Sequence, residues 1–312
     1  MESMRKMRVV FVGTGEIALP SFRCLLECGQ RPLALVTQPD KPVGRHQTLQ
    51  PPAIKLEALK AGIPVLQPSV IGEAAAALAQ LEPEVMVVMA YGQILRQNVL
   101  SLASLATINL HASLLPRHRG ASCIQAAIHA GDPLTGITAM HVIGRLDAGD
   151  VIHSQALLIA PDETGGSLHD RLAELAPEVL METLRQLADG SAQRIPQDES
   201  QVTYAPKLER DDGKIDWSQA AAAVARQIRA YDPWPGSFTL VNEGGALKRL
   251  KVFPPVAVAA EGPARGEVRG EDGALWIGCG QGALMVREVQ PDGSRRMSVK
   301  DYLCGRQPLG VE

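Results

Sequence analysis

Between Arg8 and Leu187 short, continuously apolar runs alternate with longer amphipathic ones, and this rhythm restricts the fold more than any other feature of the chain. Arg8–Gly13 (RVVFVG), Pro32–Thr37 (PLALVT), Pro64–Gln67, Val85–Ala90 (VMVVMA) and Thr107–His111 (TINLH) read as strands. Apolar residues fill consecutive positions in Arg8–Gly13 and above all in Val85–Ala90, as in strands buried on both faces of a parallel sheet. Ile17–Cys28, Ala53–Ala61, Gly72–Leu81 and Ser122–Ala130 read as the intervening helices. Such alternation predicts a doubly wound α/β sheet.

The rhythm then changes. Ile137–Val142 and Val151–Ile159 are strands joined only by IGRLDAGD, too short for a crossover helix, so they should make an antiparallel excursion at one sheet edge. Ser167–Leu187 closes this domain as a helix, and Gly190–Gln201 is polar, like a linker. After a short helix at Ser218–Ala230, the segments Leu247–Phe253, Gly266–Val268, Ala274–Cys279 and Ala283–Val289 read as strands punctuated by Gly and Pro. They predict a small β-barrel. The expected division is residues 1–189, a linker at 190–208, and 209–312.

Composition enters as an exclusion. A chain that is 46% apolar and 21% charged belongs with globular proteins, not with disordered, collagen-like or coiled-coil ones. A net charge of −3 means that any nucleic-acid surface must come from local clustering of basic residues. The five cysteines lack metal-site or redox-site spacing and read as small buried hydrophobes, and no metal is expected. With neither a leader-like apolar segment nor a membrane-length apolar run, a cytoplasmic protein with no membrane partner is expected.

Gly13-Thr14-Gly15-Glu16-Ile17-Ala18 fits G-x-G-x-x-A between a strand and a helix, with Asp40 near the place of a ribose-binding acid. This supports an NAD(P)-dependent oxidoreductase. The competing explanation is that a first strand–helix turn takes glycines simply to turn tightly and pack closely.

The chemistry-bearing residues lie elsewhere. In Ile108–Gln125, INLHASLLPRHRGASCIQ, Asn109 and His111 are two apart on a strand and share one face. They sit at its C-terminal end, where open α/β sheets place ligands. An amide beside an imidazole can steady an oxyanion and exchange a proton with it, and an aspartate from LDAGD (146–150) can orient the ring. With no paired Ser or Cys nucleophile, the set suggests direct transfer between two bound substrates. A strand-end histidine held for structural reasons and a plain LDAGD turn are the alternatives.

N-x-H-x-S-L-L-P-x-x-R-G followed by L-D-x-G-D resembles the folate-dependent formyltransferases. The resemblance narrows, through TQPDKPVGR (37–45), VVMAYGQIL (87–95), VTYAPKLERDDGKIDW (202–217) and IRAYDPWPGSF (228–238), to the branch of that family acting on methionyl-tRNA. It implies an N-terminal Rossmann-like formyltransferase domain followed by a C-terminal OB-like tRNA-binding barrel. It further implies that formyl passes from 10-formyltetrahydrofolate to the α-amine of methionine on initiator methionyl-tRNA, without NAD(P). A sugar-nucleotide amine is the alternative acceptor, and a tRNA-binding module without chemistry is set aside because the Asn-His-Asp set is intact.

By the same resemblance Asn109, His111 and Asp147 are catalytic, while Asp150 supports the turn. Ser113, Leu114, Leu115 and Pro116 contact the folate, and the backbone of Gln93, Ile94, Leu95 and Val142–Asp147 lines the pterin pocket. Arg119 structures its loop, and His118, His129, His141, His153 and His169 are not catalytic. Asp40–Gln50 corresponds to a long loop reaching the tRNA acceptor stem, with Lys41 and Arg45 in matching places, although His46, Gln47 and Thr48 stand where further lysines are common. In the C-terminal part the basic candidates are Arg226, Arg229, Lys248, Arg249, Lys251, Arg295, Arg296 and Lys300. Residues 209–312 nevertheless carry 14 Lys+Arg against 14 Asp+Glu. Trp234 reads as a packing anchor, and a monomer is expected. The family's Pro is replaced by Cys123, and its usual first turn by Gly15, Glu16 and Ile17.

Overall fold

The structure, a computed structural model, describes residues 5–43 and 47–312. It forms two compact units. The first runs to Cys123 and adds Thr135–Leu157 and His169–Pro206; the second comprises Ile124–Leu134, Leu158–Leu168 and Lys207–Glu312.

In chain order the elements up to the polar segment are β1 (Val9–Gly13), α1 (Leu19–Glu27), β2 (Ala34–Val36), β3 (Lys41–Val43), β4 (Thr48–Gln50), α2 (Ala53–Lys60), β5 (Val65–Leu66), α3 (Ala75–Gln80), β6 (Val85–Met89), α4 (Gln97–Leu100), β7 (Ala106–His111), α5 (Cys123–Ala130), β8 (Leu134–His141), β9 (Val151–Leu158) and α6 (Gly165–Asp189). The main sheet has the order β5-β2-β1-β6-β7-β8-β9. Every residue of β1 and β6 is buried, as their unbroken apolar runs require. Burying one such Val or Met side chain contributes roughly 1.5–3 kcal/mol, so the central strands anchor the sheet.

The first five strands of that order are parallel. The chain winds outward from β1 through β2 to β5, then returns to lay β6 on the other side of β1. The order therefore reverses between β1 and β6, and a crevice opens at the strands' C-terminal ends, the ligand position in doubly wound sheets. The predicted antiparallel excursion is present: β8 runs antiparallel to β7, and β9 forms the edge.

The glycines of the first turn are explained by packing. A Cβ on Gly13 would lie 2.8 Å from the Met89 carbonyl oxygen, and one on Gly15 would lie 2.9 Å from the Ala90 Cβ. Asp40, considered as a ribose ligand, instead accepts from Lys55 Nζ at 2.8 Å and Gln67 Nε2 at 2.7 Å. These partners hold its carboxyl below the usual range. The dinucleotide pattern thus marks close approach of the first turn to β6.

The 40–50 segment, expected as a long loop, contains a two-stranded antiparallel hairpin pairing Lys41 with Gln50 and Val43 with Thr48. Arg45, with Gly44 and His46, lies outside the described residues. Among the cysteines, Cys123 and Cys279 are buried as expected, but Cys28 and Cys304 are exposed, because helix ends turn those positions to solvent.

The second unit contributes α7 (Ala221–Ala230), β10 (Ser237–Glu243), β11 (Ala246–Ala259), β12 (Val268–Glu271), β13 (Ala274–Gly278), β14 (Ala283–Pro291), β15 (Met297–Ser298), α8 (Val299–Leu303) and β16 (Pro308–Val311). Its strands follow the order β12-β13-β14-β11-β10-β16, antiparallel throughout the pairings of that sheet. The Val311 N–H donates to the Gly266 carbonyl at 2.9 Å and brings the two ends together, giving a nearly closed, OB-like barrel. Its core joins Ile215, Trp217, Val224 and Ile228 to Leu250, Leu275, Leu284 and Tyr302.

Trp234 does not anchor packing. It is 46% exposed in the turn between α7 and β10, whereas Trp217 is the buried indole, donating its Nε1–H to Thr239 Oγ1 at 2.9 Å. Among the described residues no helix is long and apolar enough to cross a membrane.

Candidate active site

Asn109 and His111 project from the same face at the C-terminal end of β7, while Ile108 and Leu110 on the opposite face are buried. Pairing with β6 on one side and β8 on the other fixes the strand, with Asn109 opposite Val88 and His111 opposite Thr138. The Asn109 side chain is half-buried and its amide has no partner among the described residues. It is held ready to donate to something the chain does not supply.

His111 is 6% exposed, with both ring nitrogens engaged. Nε2 lies 2.9 Å from the His118 carbonyl, so it carries a proton, and Nδ1 lies 3.7 Å from Asp147 Oδ2. The Cys123 sulfur at the start of α5 also hydrogen-bonds to the ring. Burial pulls the imidazolium pKa down, but Cys123, the Asp147 carboxylate and the His118 carbonyl outweigh burial and raise it to about 9. The ring is therefore held as a cation at neutral pH, a form able to donate a proton to a developing negative charge.

Asp147 reaches this position from a turn with φ of +46°, and its Oδ2 accepts the Gly120 N–H at 2.8 Å. Gly120 has φ of +121°, and a Cβ there would sit 2.4 Å from the Ala205 carbonyl oxygen. The RG pair thus places a backbone donor against the carboxylate. Arg119, 1% exposed, donates from Nε and Nη2 to Gln197 Oε1 at 3.0 and 2.8 Å, and from Nη2 to Glu199 Oε1 at 3.0 Å. Its role is internal to the loop. Asp150 faces Arg194 at 3.7 Å, and its carbonyl accepts the His141 N–H.

The other expected ligand residues divide between surface and interior. Ser113 is fully buried, its hydroxyl donating to the Arg117 carbonyl at 2.7 Å, so its side chain shapes the SLLP loop from within. Leu114, Leu115 and Pro116 are partly exposed. Gln93 is committed to the chain, accepting from the Ile71 N–H at 2.8 Å and donating to the Ser69 carbonyl at 3.0 Å. Leu95 is buried in the core with Tyr91 and Val99, leaving only its backbone to face a ligand. Ile94 is 79% exposed on the loop after β6, and Leu146 is 57% exposed beside Asp147.

Lys41 is exposed on β3 and has no ion-pair partner among the described residues. Several basic candidates in the second unit are already engaged. Arg226 donates to the His129 carbonyl, Arg229 to the Glu163 carbonyl and Lys248 to Glu243, while Arg249 lies over Phe238 and Arg296 pairs with Glu288. Lys251, Arg295 and Lys300 have no ion-pair partner among the described residues.

Sequence reading did not single out Gln197, nor assign a role to Thr203. Polar composition marked the first as linker, and the second was only one residue of a matching segment.

The formyl transferase model matches residues 7–184, and the formyl transferase C-terminal domain model matches residues 207–307. A methionyl-tRNA formyltransferase of Akkermansia muciniphila is 50% identical over 309 residues, covering 97% of this chain and 98% of its relative. One of Methylococcus capsulatus is 44% identical over 301 residues, covering 95% and 96%. Among solved structures, HypX from Aquifex aeolicus in complex with tetrahydrofolic acid superposes with a TM-score of 0.64 at 20% identity. That match covers 96% of this chain but 47% of HypX, so the chain spans about half its length. An N-formyltransferase from Helicobacter canadensis, in complex with folinic acid and dTDP-3-aminofucose, gives a TM-score of 0.68 at 15% identity, covering 91% and 99%. At these identities the two structures speak to the fold alone. From the two family models and relatives matching nearly end to end, the chain belongs to the formyl transferase family, in company with methionyl-tRNA formyltransferases.

Proposed function

We propose that this chain transfers the formyl group of 10-formyltetrahydrofolate to the free α-amine of methionine on initiator methionyl-tRNA. One observation carries the chemistry: an Asn109 amide with no partner among the described residues stands beside His111, whose Nδ1 lies 3.7 Å from the Asp147 carboxylate, at the C-terminal end of β7. The acceptor is inferred from the names of relatives that match along nearly the whole chain.

The loops after β6 and β8 suit a flat, partly apolar donor. They present exposed Ile94 and Leu146 together with backbone groups, as a pterin ring requires. As the amine attacks the formyl carbon, charge develops on the formyl oxygen. The Asn109 N–H and the His111 Nε2–H are the donors that meet it, the latter exchanging its present partner, the His118 carbonyl, for substrate. Asp147 keeps the imidazolium charged and oriented. The new carbon–nitrogen bond replaces the bond to N10: the His111 imidazolium gives its Nε2 proton to departing N10, and the neutral imidazole so formed takes the proton lost by the amine.

The residues assigned to folate are Ser113, Leu114, Leu115 and Pro116, with the backbone of Gln93, Ile94 and Leu95; Lys41 and Arg45 are assigned to the acceptor stem. The division proposed is a catalytic domain at 1–189, a linker at 190–208 and a tRNA-binding domain at 209–312, acting as a cytoplasmic monomer.

The test is transfer of labelled formyl from 10-formyltetrahydrofolate to charged initiator tRNA, run beside elongator Met-tRNA, free methionine and His111→Ala. Label on the initiator alone, lost in the variant, is the expected result. No transfer to any tRNA, with folate still bound, overturns the acceptor and directs attention to amino-sugar nucleotides.

A further inference from the structure

We propose that residues 197–205 form a strap that positions the catalytic imidazole, with Gln197 and Thr203 as positioning residues. The inference rests on the reading of the preceding subsection, and every contact that supports it lies within the first unit. The segment falls in the polar stretch expected to be a linker, yet its side chains and backbone reach two partners of the His111 ring, Asp147 and His118.

The Gln197 side chain is fully used. Its Oε1 accepts two N–H groups of buried Arg119, at 3.0 and 2.8 Å. Its Nε2 donates to the carbonyls of Asp147 at 2.9 Å and Gly149 at 2.8 Å. One amide thereby ties the RG loop to the LDAGD turn. This matters because Asp147 is a non-glycine residue at φ +46°, a conformation that persists only where the surroundings enforce it. With its carbonyl held by Gln197 and its carboxylate by Gly120, the residue has little freedom to swing from Nδ1 of His111.

Thr203 acts on the other ring nitrogen. Its Oγ1 accepts the N–H of His118 at 2.8 Å, and its carbonyl accepts the Arg119 N–H at 2.9 Å. The Ala205 N–H returns a bond to the Arg119 carbonyl at 2.8 Å, and the Ala205 carbonyl accepts the Ser122 N–H at 3.2 Å. His118, itself at φ +58°, is thereby set so that its carbonyl receives the His111 Nε2–H. Among the described residues neither positioning residue bonds to the ring itself. Gln197 sets the partner of Nδ1, and Thr203 sets the partner of Nε2.

The experiment measures formyl transfer to initiator Met-tRNA against pH for the full-length wild type, Gln197→Met, Gln197→Glu, Thr203→Val and Thr203→Ser. Loss of ring orientation is expected to lower kcat about 10- to 100-fold in Gln197→Met and Thr203→Val, with both KM values within about threefold. In the Gln197 variants the alkaline limb should also move to lower pH, as Asp147 leaves Nδ1. Damage confined to stability would leave the pH profile of the folded fraction unchanged. Gln197→Glu keeps the Arg119 acceptor but loses both donors to the turn, so it should stay impaired. Thr203→Ser, which keeps the hydroxyl, should recover most of the rate. Wild-type kcat and pH profile in folded Gln197→Met, full activity in Gln197→Glu, or equal rates in Thr203→Val and wild type would each overturn the strap. If the Gln197 variants do not fold by circular dichroism, the Thr203→Val and Thr203→Ser pair decides. An inactive wild type overturns the parent reading, whereas an active wild type with indifferent variants overturns this one alone.

Discussion

Replacing Asp147 by Asn removes one negative charge beside His111 while preserving the side chain's shape and an oxygen to accept the Gly120 N–H. At 3.7 Å and an effective dielectric of about 20, the attraction to an imidazolium is about 4–5 kcal/mol. Opposite charges at such range shift protein pKa values by about one to three units, because solvent and other dipoles absorb part of the interaction. His111, raised to about 9 in the folded chain, should therefore fall by that amount. The sign follows from the direction of the shift. A histidine whose folded pKa exceeds its usual 6.5 contributes stability in full below pH 6.5 and loses it as pH rises through about 9. The same proton is the one donated to the oxyanion, so activity should decline over the alkaline limb of that window. The assay is kcat for formyl transfer between about pH 6 and pH 10, with substrates saturating. Asp147→Asn should move the alkaline limb one to three units lower, and at neutral pH should cost two orders of magnitude or more, on the scale of losing an oriented charge at an oxyanion site. A limb that stays in place, or a rate within threefold of wild type, would refute the assignment of Asp147 as one of the groups that hold His111 charged.

The Asn109 amide has no partner among the described residues, so Asn109→Ala should lower kcat by about 10²–10³-fold with little change in thermal stability, checked by turnover and melting temperature. Gly120→Ala places a Cβ against the Ala205 carbonyl at a φ of +121°, and should cost about 1–3 kcal/mol in urea unfolding besides lowering activity. Exposed Lys41 has no ion-pair partner among the described residues, so Lys41→Ala should weaken initiator-tRNA binding and reduce the slope of log affinity against log salt by about 1, read by titration at several salt concentrations. An unchanged slope would remove Lys41 from the phosphate contacts.

Local signals were enough for the main sheet and for placing Asn109 and His111 together on one strand. The unbroken apolar runs at Val9–Gly13 and Val85–Met89 can only be strands buried on both faces, and they are. The two-residue spacing of Asn109 and His111 puts both on one face of β7 through strand geometry alone. The glycine turn was ambiguous for a physical reason: the same small residues serve phosphate approach and tight strand–helix packing, and only the distances to Met89 and Ala90 show that packing requires them here. The four-residue, half-exposed β16 was missed because such a strand is defined by its partner across the sheet, and the longer, largely buried β10 was missed as well.

The sequence by itself determined the alternation of elements and the strand carrying Asn109 and His111. These rest on properties that neighbouring residues express together: hydrophobic period, side-chain direction and turn chemistry. Only the tertiary structure decided what Gln197, Thr203, Arg119 and Gly120 do. Their partners lie 50 residues away for Gln197 with Asp147, 85 for Thr203 with His118, and 27 for Gly120 with Asp147. A polar residue in a polar segment carries no local mark of such a bond. Its meaning arises when folding brings a buried guanidinium, two carbonyls and a left-handed aspartate within reach of one amide.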